Sequence, residues 1–160
     1  MKIRTDYVTN SSSSSFIVGF KDADSIEEQL RLEVDAFPRF DTILNDVKSK
    51  RISKAEAIHT FEDEMYWCAE WVVQDEYERK LYKRHNITCF FDWLEEDFSH
   101  REEFYQKVLE RRNIWLEEFK QKIDCLDYLA LVEYSDHDNG DLEHGIMPSL
   151  SCTLQRFSHH

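Results

Sequence analysis

Hydrophobic and polar positions follow one rhythm at the two ends of the chain and another between them. Phe16-Ile17-Val18-Gly19-Phe20 is apolar on both faces, the pattern of an interior strand. Tyr128–Tyr134 has the same character. Tyr128, Ala130, Val132 and Tyr134 point one way, and Leu129, Leu131 and Glu133 the other. Leu150–Phe157 sets Leu150, Cys152 and Leu154 against Ser151, Thr153 and Gln155, which predicts a strand with one wet side. Between them, Asn139-Gly140 suits a type I′ turn, whose two central residues need positive φ. That turn predicts a hairpin returning through Leu142–Met147 and broken by Pro148.

The middle of the chain repeats at helical spacing. Ser25 and Glu28 fit a capping box, followed by Ile26, Leu30, Val34 and Phe37 on one face and by Pro38 as a stop. Phe40, Ile43, Leu44 and Val47 predict a second short helix. Ser53 and Glu56 open a long helix to about Tyr82, with Ile58, Phe61, Met65, Cys68 and Val72 as its core stripe. Trp67, Trp71 and Val73 fall outside that stripe and predict a second buried face. Phe90, Phe91, Trp93 and Phe98 mark a short aromatic helix, read as core packing over a ligand pocket. Ser99 and Glu102 cap a last helix to about Ile123, along which Tyr105, Leu109, Leu116, Phe119 and Ile123 share a side. Arg111-Arg112 is read as paired to nearby acids.

These elements give an α+β class: an antiparallel sheet from N- and C-terminal strands (about 14–21 and 127–158), covered by four to five helices from the middle (about 24–124). The Phe16–Phe20 strand is expected to insert between C-terminal ones. The whole chain, 1–160, is read as one domain, because neither end supplies enough strands for a sheet of its own.

Composition narrows the function. The chain is 41% hydrophobic with 3 Gly and 2 Pro, so it folds and spends few residues on long loops. Its formal charge of −13 opposes nonspecific binding to nucleic-acid phosphates or anionic membranes and suits a basic protein partner. Cys68, Cys89, Cys125 and Cys152 lie far apart with no CxxC. With no secretory apolar stretch and no membrane span, they point to free thiols and a cytoplasmic setting. Cys68 and Cys152 fall in apolar patterns.

Two polar clusters carry candidate chemistry. Asp136, Asp138, Glu143, His144 and His159 are carboxylates and imidazoles, the ligand types of borderline divalent metals. The simpler reading is a polar hairpin tip and a chain end, with no cofactor. No HExxH occurs, and the calcium-loop pattern fails because Ile146 falls where the bidentate Glu belongs. At the other end, Asn10, Ser11, Ser12 and Ser13 stand at the mouth of the first strand. Their small hydroxyls and N–H groups, together with Arg156, make a candidate anion or peptide site; the alternative is a plain N-terminal loop.

The N-terminal string Tyr7-Val-Thr-Asn-Ser-Ser-Ser-Ser-Ser-Phe-Ile-Val18 resembles the start, (F/Y)VTNSSSSSF, of a family of uncharacterised bacterial and mobile-element proteins. Some members share a C-terminal pattern similar to Ser135, Asp136, Asp138, Gly140, then Leu142-Glu143-His144-Gly145, then Arg156 and Ser158-His159-His160. The resemblance covers about 45 residues at the two ends and none of the helical middle. It implies that the ends work together and names no reaction.

No P-loop, GxGxxG or GxSxG is present. Two classes of function remain. In the first, an acidic noncatalytic interaction or inhibitor protein, possibly encoded by a phage or mobile element (an origin that rests on the resemblance), engages a basic surface through Glu62, Asp63, Glu64, Glu70, Asp75, Glu76 and Glu78. Those seven acids lie between Glu62 and Glu78, and Ala55–Glu78 holds no Lys or Arg; the plain alternative is a solvated helix face. In the second, a metal-dependent hydrolase or nucleotide-modifying enzyme uses the C-terminal Asp/Glu/His cluster, with the serines and Arg156 holding an anionic group.

Overall fold

The structure, a computed structural model, describes residues 13–34, 39–85 and 90–159, and for 82–85, 136–138 and 159 it describes the backbone alone. Its contacts divide the chain into two compact units, residues 1–54 with 125–160, and residues 55–124.

The first unit is built on a four-stranded antiparallel sheet of order β2-β3-β1-β4, with β1 Ser13–Phe20, β2 Arg51–Ile52, β3 Tyr128–Ser135 and β4 Thr153–His159. The N-terminal strand thus lies between two C-terminal ones, as its two-faced apolar pattern requires. Phe16, Ile17, Val18 and Phe20 are buried on both sides of the sheet. On one face, Phe16, Val18, Phe20, Ala130 and Val132 pack against α1 (Ser25–Glu33) and α2 (Arg39–Ser49). Ile26 and Leu30 come from α1, and Phe40, Ile43 and Val47 from α2. The expected Phe37 lies outside the described residues.

Two details of the sheet differ from the sequence reading. Pairing of β1 with β4 shifts between Ile17, opposite Gln155, and Val18, opposite Thr153. Leu154 is therefore a bulge residue and leaves the face of Leu150 and Cys152. Its Cδ1 lies instead beside Gly19, with Leu126 and Leu129. The second difference is the segment after β3, which is helical and not a returning strand. It comprises α6 (Asp136–Asp141), a π turn (Leu142–Ile146) and α7 (Met147–Ser149). Asn139 has φ −146° and Gly140 no positive φ, so no type I′ turn forms. Leu142, Ile146 and Met147 step by four and one, a helical spacing that places Leu142 and Met147 in the core. Arg39 of α2 fastens the turn, donating to Asp141 Oδ2 at 2.6 Å and to Asn139 Oδ1 at 3.2 Å.

The second unit contains α3 (Lys54–His85), α4 (Phe90–Glu96) and α5 (Phe98–Asp124). Phe61 of α3 stacks on Phe119 of α5 at 4.3 Å, and Tyr77 meets Phe104 edge-on, so the two helices run in opposite directions. The buried row of α3 is Ala57, Phe61, Met65, Ala69, Val73, Tyr77 and Leu81. It steps by four throughout and winds slowly around the helix, because four residues turn about 400°. The expected stripe kept Phe61 and Met65 but drifted off this row. Cys68 and Val72 are exposed, and so are Trp67 and Trp71, which were expected to be buried. Phe90 and Trp93 join the core, while Phe91 and Phe98 face solvent. Arg111 pairs with Glu76 at 2.8 Å, as expected, whereas Arg112 Nε is buried with no hydrogen-bond partner among the described residues.

Candidate functional site

Strand phase decides which serine enters the first unit. Ser14 is in step with Phe16, Val18 and Phe20, so its side chain points to the helical face of the sheet, where it is fully buried. Arg156 lies opposite Phe16 on β4 and reaches the same face, its guanidinium 5.7 Å from the Phe16 ring centre. The π turn delivers Glu143 and His144 above them. Ser14 Oγ donates to Glu143 Oε1 at 2.7 Å and accepts from Arg156 Nε and Nη2 at 3.2 and 3.0 Å. Arg156 Nη2 stands 3.7 Å from Glu143 Oε1 and donates to His144 Nδ1 at 3.3 Å.

The chemistry of this cluster follows from its donors. A guanidinium only donates, so His144 Nδ1 is an acceptor and the proton of the neutral ring sits on Nε2. Nε2 lies 3.7 Å from Glu143 Oε2. That oxygen is buried and has no hydrogen-bond partner among the described residues. A divalent ion at His144 Nε2 would have to displace the proton that the Arg156 contact places there. The buried carboxylate is balanced by Arg156, as burial of a charge demands. The arrangement suits a clamp that ties β1, β4 and the π turn together.

Of the five metal candidates, Glu143 and His144 thus come together. Asp136 and Asp138 lie on α6 and His159 on β4, opposite Ser13 in the β1 register, but their side chains are outside the described set. Among the described residues no group of three His, Cys, Asp or Glu is placed to hold a metal ion. Asn10, Ser11 and Ser12 fall outside the described residues. Ser13 is half-buried, paired through its backbone with Ser135 and His159. An open cavity of about 340 Å³ lies elsewhere, lined by Arg51, Ile52, Ser53, Lys54, Leu126, Asp127 and Leu129, and none of the expected site residues borders it.

On α3 the seven acids divide by environment. Asp75 holds Arg79 at 2.5 Å and Glu76 holds Arg111, which neutralises part of the C-terminal end. Glu78 accepts from Gln74 at 2.7 Å. Glu62, Glu64 and Glu70 are half-buried along the flanks, and Asp63 is exposed beside His59, 3.4 Å away. The Cys68 thiol on this surface is pushed up by burial and by the Glu64 carboxylate.

Sequence reasoning missed Ser14 and the two exposed tryptophans. Alternation with Phe16 was the available signal for Ser14. For Trp67 and Trp71 it was a row of every fourth residue with polar neighbours. Among the described residues no helix is long and apolar enough to cross a membrane. No family model, curated protein or solved structure matches the chain.

Proposed function

We propose that this protein is a noncatalytic interaction or inhibitor protein that engages a basic surface of a partner protein through the exposed face of α3. The observation that carries this reading is Ala55–Glu78, about seven turns of helix with eight acids, Glu56 and the seven from Glu62 to Glu78, and no Lys or Arg. Its centre is Glu62 to Glu70, because Asp75 and Glu76 already hold arginines. A field of one sign steers an oppositely charged partner to the surface and fixes its orientation. The Ser14–Glu143–Arg156 cluster fits this reading as a scaffold element, since its charges are turned inward and matched to one another.

The test is binding of a synthetic arginine-rich amphipathic helix at low and at high salt. Binding is expected to weaken steeply as the screening length falls from about 10 Å at 0.1 M to about 3 Å at 1 M. A variant with Glu62→Gln, Asp63→Asn and Glu70→Gln is expected to bind weakly at any salt. Salt-independent binding, or full binding by this variant, removes the acidic face from the function.

A further inference from the structure

On the side of α3 away from its buried row runs a second row of every fourth residue: His59, Asp63, Trp67, Trp71, Asp75 and Arg79. All six are exposed, Trp67 by 63% and Trp71 by 77%. His59 sits beside Asp63, and Arg79 grips Asp75. The centre of the row is two indoles one turn apart, about 6 Å along the axis, between two carboxylates. Tyr66 meets the Trp67 ring edge-on at 5.9 Å, which holds that indole in place. Large exposed apolar surface on a soluble chain marks an interaction site, and Trp is enriched among residues that dominate binding energy.

We propose that Trp67 and Trp71 are the anchors of a docking site for an arginine-bearing segment of a partner protein, with guanidinium groups stacked on the indoles and held at their edges by Asp63, Glu64 and Glu70. This rests on the interaction reading above and names the chemistry of the partner's contact. Charge complementarity selects the occupant. A guanidinium is attracted both to the indole face and to the flanking carboxylates, and its planar fork matches each. A second copy of this chain would bring the same acids against themselves, and an anionic lipid surface would be repelled by them.

The experiment titrates the arginine-rich helix into the wild-type protein, into a Trp67→Ala/Trp71→Ala variant, into a Trp67→Phe/Trp71→Phe variant and into the acid-neutralised variant. Sedimentation and binding to phosphatidylserine vesicles are followed alongside. The alanine pair is expected to lose at least tenfold in affinity with an unchanged melting temperature, and the phenylalanine pair to recover part of it. Wild-type affinity in the alanine pair overturns the anchor, and if the acid-neutralised variant still fails to bind, the broader interaction reading survives that result. Absence of binding by the wild type overturns both. Tryptophan-dependent self-association or vesicle binding in place of peptide binding overturns the proposed occupant.

Discussion

Ser14 Oγ donates a 2.7 Å hydrogen bond to Glu143 Oε1, joining the central strand of the sheet to the π turn across 129 positions of sequence. Both side chains are fully buried, and Arg156 donates twice to the same hydroxyl. Ser14→Ala removes a donor from a buried carboxylate and an acceptor from a guanidinium, and should cost about 1–3 kcal/mol. Arg156→Met leaves the carboxylate without its counter-charge and should cost more, on the order of 3 kcal/mol. Urea unfolding of both variants checks the order. A Ser14→Ala protein as stable as wild type would mean that the clamp holds nothing.

The two ends of the chain were the legible part of the fold, because their strands are buried on both faces and apolar runs of that kind have few other homes. The β1 insertion follows from the same fact. Leu154 was misplaced because a bulge adds one residue to a strand without leaving a mark in the alternation. The Leu142–Met147 segment carries two signals, Asn139-Gly140 for a turn and the four-and-one spacing of Leu142, Ile146 and Met147 for a helix, and burial of Leu142 and Met147 decides for the helix. On α3, a row that steps strictly by four drifts around the helix, so a stripe extrapolated from Phe61 and Met65 by mixed steps of three and four ends on the solvent side at Val72. The meeting of Ser14, Glu143 and Arg156 was only half legible: the strand patterns bring the two ends into one sheet, but strand phase alone says which serine turns inward.

Gly19 tests the packing of the second face of the sheet. A Cβ there would lie 2.5 Å from Leu126 Cδ1, 2.8 Å from Leu154 Cδ1 and 3.1 Å from Leu129 Cδ2. One flexible methyl gives way easily; three at once do not. Gly19→Ala should destabilise by about 1–3 kcal/mol through overpacking. Gly140→Ala and Gly145→Ala meet nothing within 4 Å in a helical segment. They should be neutral or stabilising by up to about 1 kcal/mol, as reduced freedom of the unfolded chain predicts. Chemical denaturation of the three variants separates the cases.

Helix starts offer a prediction that the capping-box reading gets wrong. Asp97 Oδ1 accepts from Ser99 N at 2.8 Å at the start of α5, and this contact holds the Asp97 carboxyl below its usual range. At α1 the reciprocal pair is Asp22 with Ser25: Ser25 N donates to Asp22 Oδ1 at 2.8 Å, and Asp22 N to Ser25 Oγ at 3.3 Å. Asp97→Ala should therefore destabilise the protein, as loss of a cap does, and Glu102→Ala, a member of the expected box, much less. Melting temperatures of the two variants decide which residue is the cap.

Alkaline pH should unfold the first unit through Cys152. Burial, with the Glu33 carboxylate adding to it, pushes this thiol up to about 12 from an ordinary value of 9.0. A group whose folded value is raised contributes stability that is intact below its unfolded value and lost as pH climbs toward the folded one. The window is therefore about pH 9 to 12, with a limiting slope of roughly 1.4 kcal/mol per pH unit for one proton. Tyr134, raised mainly by burial and then by Asp46, steepens the loss above pH 10. Cys152→Ala is expected to be less stable at neutral pH, through its small cavity, yet to lose stability more slowly above pH 9. The same burial makes Cys152 the slowest described thiol toward iodoacetamide in the native state. Cys125, exposed, should react first. Cys68, exposed but with its thiol raised by burial and Glu64, falls between them. Parallel curves for wild type and Cys152→Ala from pH 9 to 12 would remove the thiol from the alkaline transition and leave Tyr134 as its source.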